Sequence, residues 1–166
     1  MVSKFNGEPK VVSIRPAISA DREAITRLER VAIASGGASR EALEQQWLLS
    51  AVTLDVAAIV LVAEVETVPV GYITGVVVNE GSWIRGYVCD LYVEDRYRRK
   101  RAAVHMMDEM ILKMREFGAR VFFTNSIRNG AAFLKLSEKG NFVKLSAREF
   151  YNLVMSEQNI GLEGAK

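Results

Sequence analysis

Cysteine and histidine are almost missing from this sequence: Cys89 and His105 each stand alone among 166 residues. One cysteine excludes an internal disulfide and any cysteine-rich zinc site, and one histidine leaves little material for a metal site of another kind. No structural metal is expected. Proline is scarce at three, and with twelve glycines the chain is far from the composition of a disordered or repetitive linker. No apolar run reaches the roughly 18 residues that a bilayer-spanning helix needs. Residues 1–10 are polar, without the apolar stretch of a secretory leader. A cytoplasmic setting without membrane contact is therefore expected. Charge of one sign does not dominate either, because 22 basic and 20 acidic side chains give a net charge of +2. Nothing global calls for a polyanionic partner, and nucleic acid is not the expected ligand.

What is present is the balance of an ordinary globular protein, with 49% hydrophobic and 25% charged residues. The length suits one domain, expected over residues 11–155 with loosely ordered residues 1–10 and a loose tail at 156–166. Residues 11–17 read as a strand. Ser19 follows as an N-cap with Asp21 and Glu23 in the first turn, and Ala24, Ile25, Leu28, Val31 and Ala32 fall on one helical face. Gly36 and Gly37 end that helix before a second one over 40–52. The continuous apolar run at 57–63 predicts a strand buried on both faces, and 70–78 and 83–93 complete an antiparallel meander, with Glu66-Thr67-Val68-Pro69 as the first hairpin loop. From Ala103 to Phe117 apolar residues recur at helical spacing until Gly118. A strand at 121–124 then requires a parallel, right-handed crossover. A short helix at 131–139 and strands at 142–145 and 148–155 follow. The fold class is thus α/β: a mixed, mostly antiparallel sheet flanked by helices.

The most informative stretch is Arg96-Tyr97-Arg98-Arg99-Lys100-Arg101-Ala102-Ala103, between a strand and the start of the long helix. A helix start offers unpaired backbone N–H groups and a partial positive charge, and the small side chains of Ala102 and Ala103 let a pyrophosphate approach them. The arginines add charge-assisted contacts. In isolation such a run also reads as a solvated basic loop. Asp90, on the strand entering the loop, reads as a partner of these arginines. Cys89 reads as a small strand hydrophobe, and His105 as a solvent-facing residue.

In this order of elements the sequence resembles the GCN5-related N-acetyltransferases, which bind acetyl-coenzyme A at a strand–loop–helix unit of the form Gln/Arg-x-x-Gly-x-Gly/Ala. Arg98, Ala102 and Ala103 fall in register with that loop. The resemblance runs from about Val11 to Met155 and includes Ile14-Arg15-Pro16-Ala17, the strand opening at Pro69 to Ile73, Asp90-Leu91-Tyr92-Val93, and Asn129-x-x-Ala132 followed by Gly140. It implies splayed parallel fourth and fifth strands. Acetyl-coenzyme A, as co-substrate, would be held by Leu91, Tyr92, Val93, Arg98, Arg99, Lys100, Arg101, Ala102, Ala103, Asn125, Asn129 and Ala132. It further implies acyl transfer to a primary amine of a small molecule or a protein, with Asp90 as the first candidate base and Glu64 or Glu66 as the next. Tyr92 or Tyr151 would serve as proton donor. The chain departs from the pattern twice: Arg101 stands where the loop has its first glycine, and Leu136 where many members have a tyrosine.

Two functions follow: an acyl-coenzyme A-dependent N-acyltransferase acting by direct attack in a ternary complex, or a degenerate member that keeps the fold as a binding or regulatory module. Acids such as Glu29, Glu41, Glu44 and Asp55 would favour a cationic acceptor, or simply solvate helix faces. Strand 148–155 is apolar enough to pair in a homodimer.

Overall fold

The computed structural model describes residues 12–35, 56–79, 84–98 and 101–124. In chain order these form β1 (Ser13–Pro16), a 3-10 turn (Ser19–Asp21), α1 (Arg22–Ala34), β2 (Val56–Val65), β3 (Val68–Asn79), β4 (Ile84–Val93), a second 3-10 turn (Asp95–Tyr97), α2 (Ala102–Glu116) and β5 (Val121–Thr124). The five strands make one sheet in the order β1-β2-β3-β4-β5. Neighbours pair antiparallel except β4 and β5, which are parallel. Only a crossover can join parallel neighbours, and α2 is that crossover. None of the described helices is long and apolar enough to cross a membrane.

Strand alternation divides the sheet into two unlike faces. Ile73, Leu61, Ala63, Val77 and Val93 pack on one side with Met106, Met110 and Met114 of α2. Tyr72 and Tyr92 point the other way and pack with Leu28 and Ala32 of α1. The three methionines are fully buried, and burial of each such side chain contributes about 1.5–3 kcal/mol. They reach the sheet because the strands beneath them carry no side chain at two critical places. A Cβ at Gly75 would stand 2.4 Å from the Met114 Cε, and one at Gly86 2.6 Å from its Sδ.

The β2–β3 connection is tighter than the four-residue loop expected. The strands extend until only Glu66 and Thr67 remain, and both take positive φ, 50° and 68°, the geometry of a two-residue turn matching strand twist. The start of α1 also differs from expectation. Ser19 does not cap it; the carboxylate of buried Asp21 accepts the Ile18 N–H at 2.8 Å and takes two hydrogen bonds from Arg15, at 2.7 and 2.9 Å. Arg15 is the stronger partner because its planar fork matches a carboxylate. The Asp21 carboxyl is accordingly held below its usual range, chiefly by that Arg15 contact against the opposing effect of burial. The expected helices at 40–52 and 131–139 and strands at 142–145 and 148–155 lie outside the described residues.

Candidate active site

The site grows from an irregularity in β4. Thr74 pairs with Asp90, but the next residue of β3, Gly75, pairs with Val88, so Cys89 is an extra residue on β4. A bulge of this kind breaks the two-residue period of the strand. Val88 joins the α2 side of the sheet, whereas Asp90 is bonded to Tyr72, whose ring lies on the α1 side. Without the bulge residues 88 and 90 would share a face. The bulge therefore places a carboxylate among the tyrosines.

The β4–β5 pairing described here runs from Arg85–Val121 to Val88–Thr124, so β4 continues past the last of these pairs, through Asp90, Leu91, Tyr92 and Val93. The residues that would continue β5 alongside Asp90 to Val93, from 125 onward, lie outside the described residues, and with them the splay that the resemblance implied.

Asp90 is buried, with 6% of its surface exposed. Its Oδ2 accepts the Tyr72 hydroxyl at 2.5 Å and its Oδ1 the Leu91 N–H at 2.8 Å. Burial raises its carboxyl above the ordinary range, against the downward pull of those two hydrogen bonds. Its partner is thus a tyrosine, not one of the arginines. Tyr72 is kept firmly protonated, first by burial and then by the Asp90 charge. A third group joins from α1: Glu29 is half-buried, and its carboxyl is raised by burial and then by the field of Asp90. The Cys89 thiol is pushed up to about 11 by burial and by Asp90, so it is no nucleophile at neutral pH.

Tyr92 packs beside Tyr72, ring centroids 6.3 Å apart, and is raised by burial. Glu64 is not brought to the bulge. It sits four residues beyond Val60, the residue level with Thr74 and Asp90, or about 13 Å along the strand. There it accepts Arg15 Nε at 2.8 Å and the Ser13 hydroxyl at 3.3 Å. Glu66 is at the exposed hairpin turn.

At the other end of β4 the chain passes through the second 3-10 turn into α2. Arg98 is gathered back onto the strand: its Nε donates to the Val93 carbonyl at 2.9 Å, its guanidinium lies 5.5 Å from the Tyr92 ring centroid, and it pairs with Asp95. Arg101 immediately precedes α2 with φ 62° and ψ 5°, the left-handed region that normally selects glycine. The backbone here thus keeps the glycine conformation although the residue has changed. No side chain caps α2, and its first backbone bond is His105 N–H to the Arg101 carbonyl at 3.0 Å. The N–H groups of Ala102, Ala103 and Val104 are left without an intrahelical acceptor. That start, with no side-chain cap among the described residues and no bulky side chain at 102 or 103, fits a pyrophosphate. His105 is exposed, as expected. Arg99, Lys100, Asn125, Asn129, Ala132, Leu136 and Tyr151 lie outside the described residues.

A sequence model of the acetyltransferase (GNAT) family matches residues 22–136, which include α1, the meander, the bulge, the loop and α2. The chain belongs to the GNAT acetyltransferase family. Solved GNAT enzymes share its fold. A ribosomal-protein-alanine N-acetyltransferase from Brucella melitensis biovar Abortus 2308 superimposes with a TM-score of 0.62 at 23% identity, over 81% of this chain and 93% of that one. An aminoglycoside acetyltransferase, meta-AAC0020, from an uncultured soil metagenomic sample gives 0.61 at 17% identity, over 82% and 92%. AAC(6')-Iy, solved with a bisubstrate analogue joining coenzyme A to an acetylneamine, gives 0.61 at 14% identity, over 82% and 93%. No curated protein matches the sequence. In this GNAT chain the α2 start is a feature suited to the acetyl-coenzyme A that the family uses.

Sequence reasoning had named Asp90 but not Tyr72, which holds it. A tyrosine two residues from Thr74 on β3 was visible, yet its pairing with Asp90 depends on a register and a bulge that no local pattern displays.

Proposed function

We propose that this protein is an acetyl-coenzyme A-dependent N-acetyltransferase that acts on a primary amine of a small molecule or a protein by direct attack in a ternary complex. One observation carries the reading: the β4 bulge sets a buried carboxylate, its tyrosine partner and a second carboxylate on one face of the sheet, on the strand that leads into the α2 start. Bound there, acetyl-coenzyme A supplies an activated thioester. The residues of the chain do the rest.

The α2 start, with its backbone N–H groups free, Ala102 turned into the core and Arg101 adjacent, receives the pyrophosphate. Backbone groups of Leu91 and Val93 meet the pantetheine amides. Arg98 fixes the end of β4 through the Val93 carbonyl and so positions the loop. An amine must lose a proton before it can attack, and the carboxylates near the bulge are the bases within reach of that face. Holding amine and thioester together contributes a large part of the rate. Tyr92 lies beside Tyr72 as a candidate proton source for the leaving thiolate. The protein would work in the cytoplasm, alone or as a homodimer.

A second reading has one observation in its favour. Arg101 holds the glycine conformation while carrying a long cationic side chain, so it either adds charge to the pyrophosphate or occupies its place. In the latter case the chain is a binding module. The test is incubation of the purified protein with acetyl-coenzyme A and a panel of amines, comprising spermidine, kanamycin and a lysine-containing peptide. A mass gain of one acetyl group with stoichiometric thiol release supports the enzyme; binding of an amine with no transfer and no affinity for acetyl-coenzyme A supports the module.

A further inference from the structure

The two carboxylates at the bulge differ in a way that assigns them different work. Both oxygens of Asp90 are occupied, one by the Tyr72 hydroxyl and the other by the Leu91 N–H, and the side chain is nearly sealed from solvent. Glu29 has no hydrogen bond or ion pair to any other described residue, and it lines an open cleft of about 600 Å³. That cleft is bounded by α1 through Arg22, Ile25 and Thr26, by β2 through Val60, and by β3 through Thr74, the residue paired with Asp90. Asp90, Tyr72 and Tyr92 do not line it. Glu29 is thus the carboxylate that an incoming molecule meets, and Asp90 lies beneath it.

We propose that Glu29 is the catalytic residue that receives the acceptor amine, and that Asp90 is a positioning residue acting through Tyr72 and through its charge. The inference rests on the N-acetyltransferase reading and deepens it by naming the base and the charge of the acceptor. An alkylammonium enters the cleft opposite Glu29 and passes one proton to a Glu29 carboxylate oxygen, leaving a neutral amine and a carboxylic acid. The amine lone pair then forms the new C–N bond at the thioester carbonyl as the C–S bond breaks. The departing thiolate takes the second proton released by nitrogen, through water. Glu29 returns its proton to solvent.

The other charged groups of the cleft are Arg22 on α1 and Lys113 on α2, and the field of Asp90 comes from β4. Burial and that field raise the Glu29 carboxyl above the ordinary glutamate value of 4.5, which makes it a better proton acceptor near neutral pH than an exposed glutamate. Lys113 is paired with Glu116 at 3.0 Å, and Glu29 is the carboxylate of the cleft that meets the ammonium of the acceptor.

The deciding experiment compares the wild type with Glu29→Gln and Asp90→Asn in acetyl-coenzyme A binding, in single-turnover transfer to the best amine of the panel from pH 6 to 10, and in carbon-detected titration of the Glu29 carboxyl. The expected result for Glu29→Gln is unchanged acetyl-coenzyme A affinity and a transfer rate down about 100-fold at pH 7, recovering as pH rises and free amine becomes abundant. Asp90→Asn should lower the titration midpoint of Glu29 and move the acid limb of the rate profile with it. Full activity in Glu29→Gln with loss in Asp90→Asn would reverse the assignment. A Glu29 carboxyl titrating like an exposed glutamate would overturn it even if no acceptor were found. Failure of the wild type to bind acetyl-coenzyme A, by contrast, would remove the acetyltransferase reading itself.

Discussion

The two faces of the sheet solve opposite problems. Toward α2 the strands present aliphatic side chains and two glycines, and Met106, Met110 and Met114 fill the space above them. Methionine is flexible enough to fit an uneven floor. Toward α1 the same strands present Tyr72, Tyr92 and Asp90, with Glu29 above. Burying an ionisable carboxylate costs stability unless it is well partnered. The difference teaches where stability and chemistry reside: one face holds the fold, and the other spends part of that stability on a polar cluster. The bulge at Cys89 is the device that lets one strand serve both, since it turns Asp90 away from the methionine side.

Breaking the α2 face should have the largest effect. Met110→Ala removes a fully buried side chain and is expected to cost about 3 kcal/mol. Urea unfolding should show this, with the acetyl-transfer rate per folded molecule unchanged.

On the other face the expected change has the opposite sign. The Asp90 carboxyl lies above its ordinary 3.8 in the fold, so its proton is bound more tightly folded than unfolded. Its stabilising share is complete below the unfolded value and is lost as pH climbs through the folded one. Ionised Asp90 therefore weakens the protein at neutral pH. Asp90→Asn, which keeps an acceptor for the Tyr72 hydroxyl, should raise stability by about 1 kcal/mol at pH 7. A series of melting curves should show the gain shrinking toward pH 4. A variant that melts lower at pH 7 would mean that the carboxylate stabilises this face, and the contrast between the faces would fail.

The smallest effect belongs to the rim that both faces share. Arg101 pays for a left-handed backbone with no cap in return, so Arg101→Gly should add about 0.5 kcal/mol. It should also tighten acetyl-coenzyme A binding if the arginine side chain crowds the pyrophosphate, or weaken it if the charge is used there.

Much of this was legible in the sequence because the signals were local. Continuous β-branched runs located β2 and β3, helical spacing located α2, and residues 121–124 were placed as a strand to the residue. Arg98, Ala102 and Ala103 were singled out through their register with the family's loop motif, and the structure places them around the start of α2. The Glu66-Thr67 turn was read as longer because neither residue favours positive φ, so its chemistry argued against its geometry. Glu64 was a candidate base by its place on the second strand; its commitment to Arg15 comes from strand pairing between residues 49 apart in sequence. The Tyr72–Asp90–Glu29 cluster draws on β3, β4 and α1, and its geometry depends on a single extra residue. Contacts of that kind are set by register, which alternation suggests but does not determine.

The proposed function requires that the α2 start and the adjoining end of β4 hold acetyl-coenzyme A despite Arg101. Calorimetric titration of the wild-type protein with acetyl-coenzyme A, and separately with free coenzyme A, tests it most directly. Micromolar binding of both, weakened by Arg98→Ala, is the expected result; absence of heat at millimolar ligand would rule out the acetyltransferase reading and leave the fold serving as a binding module.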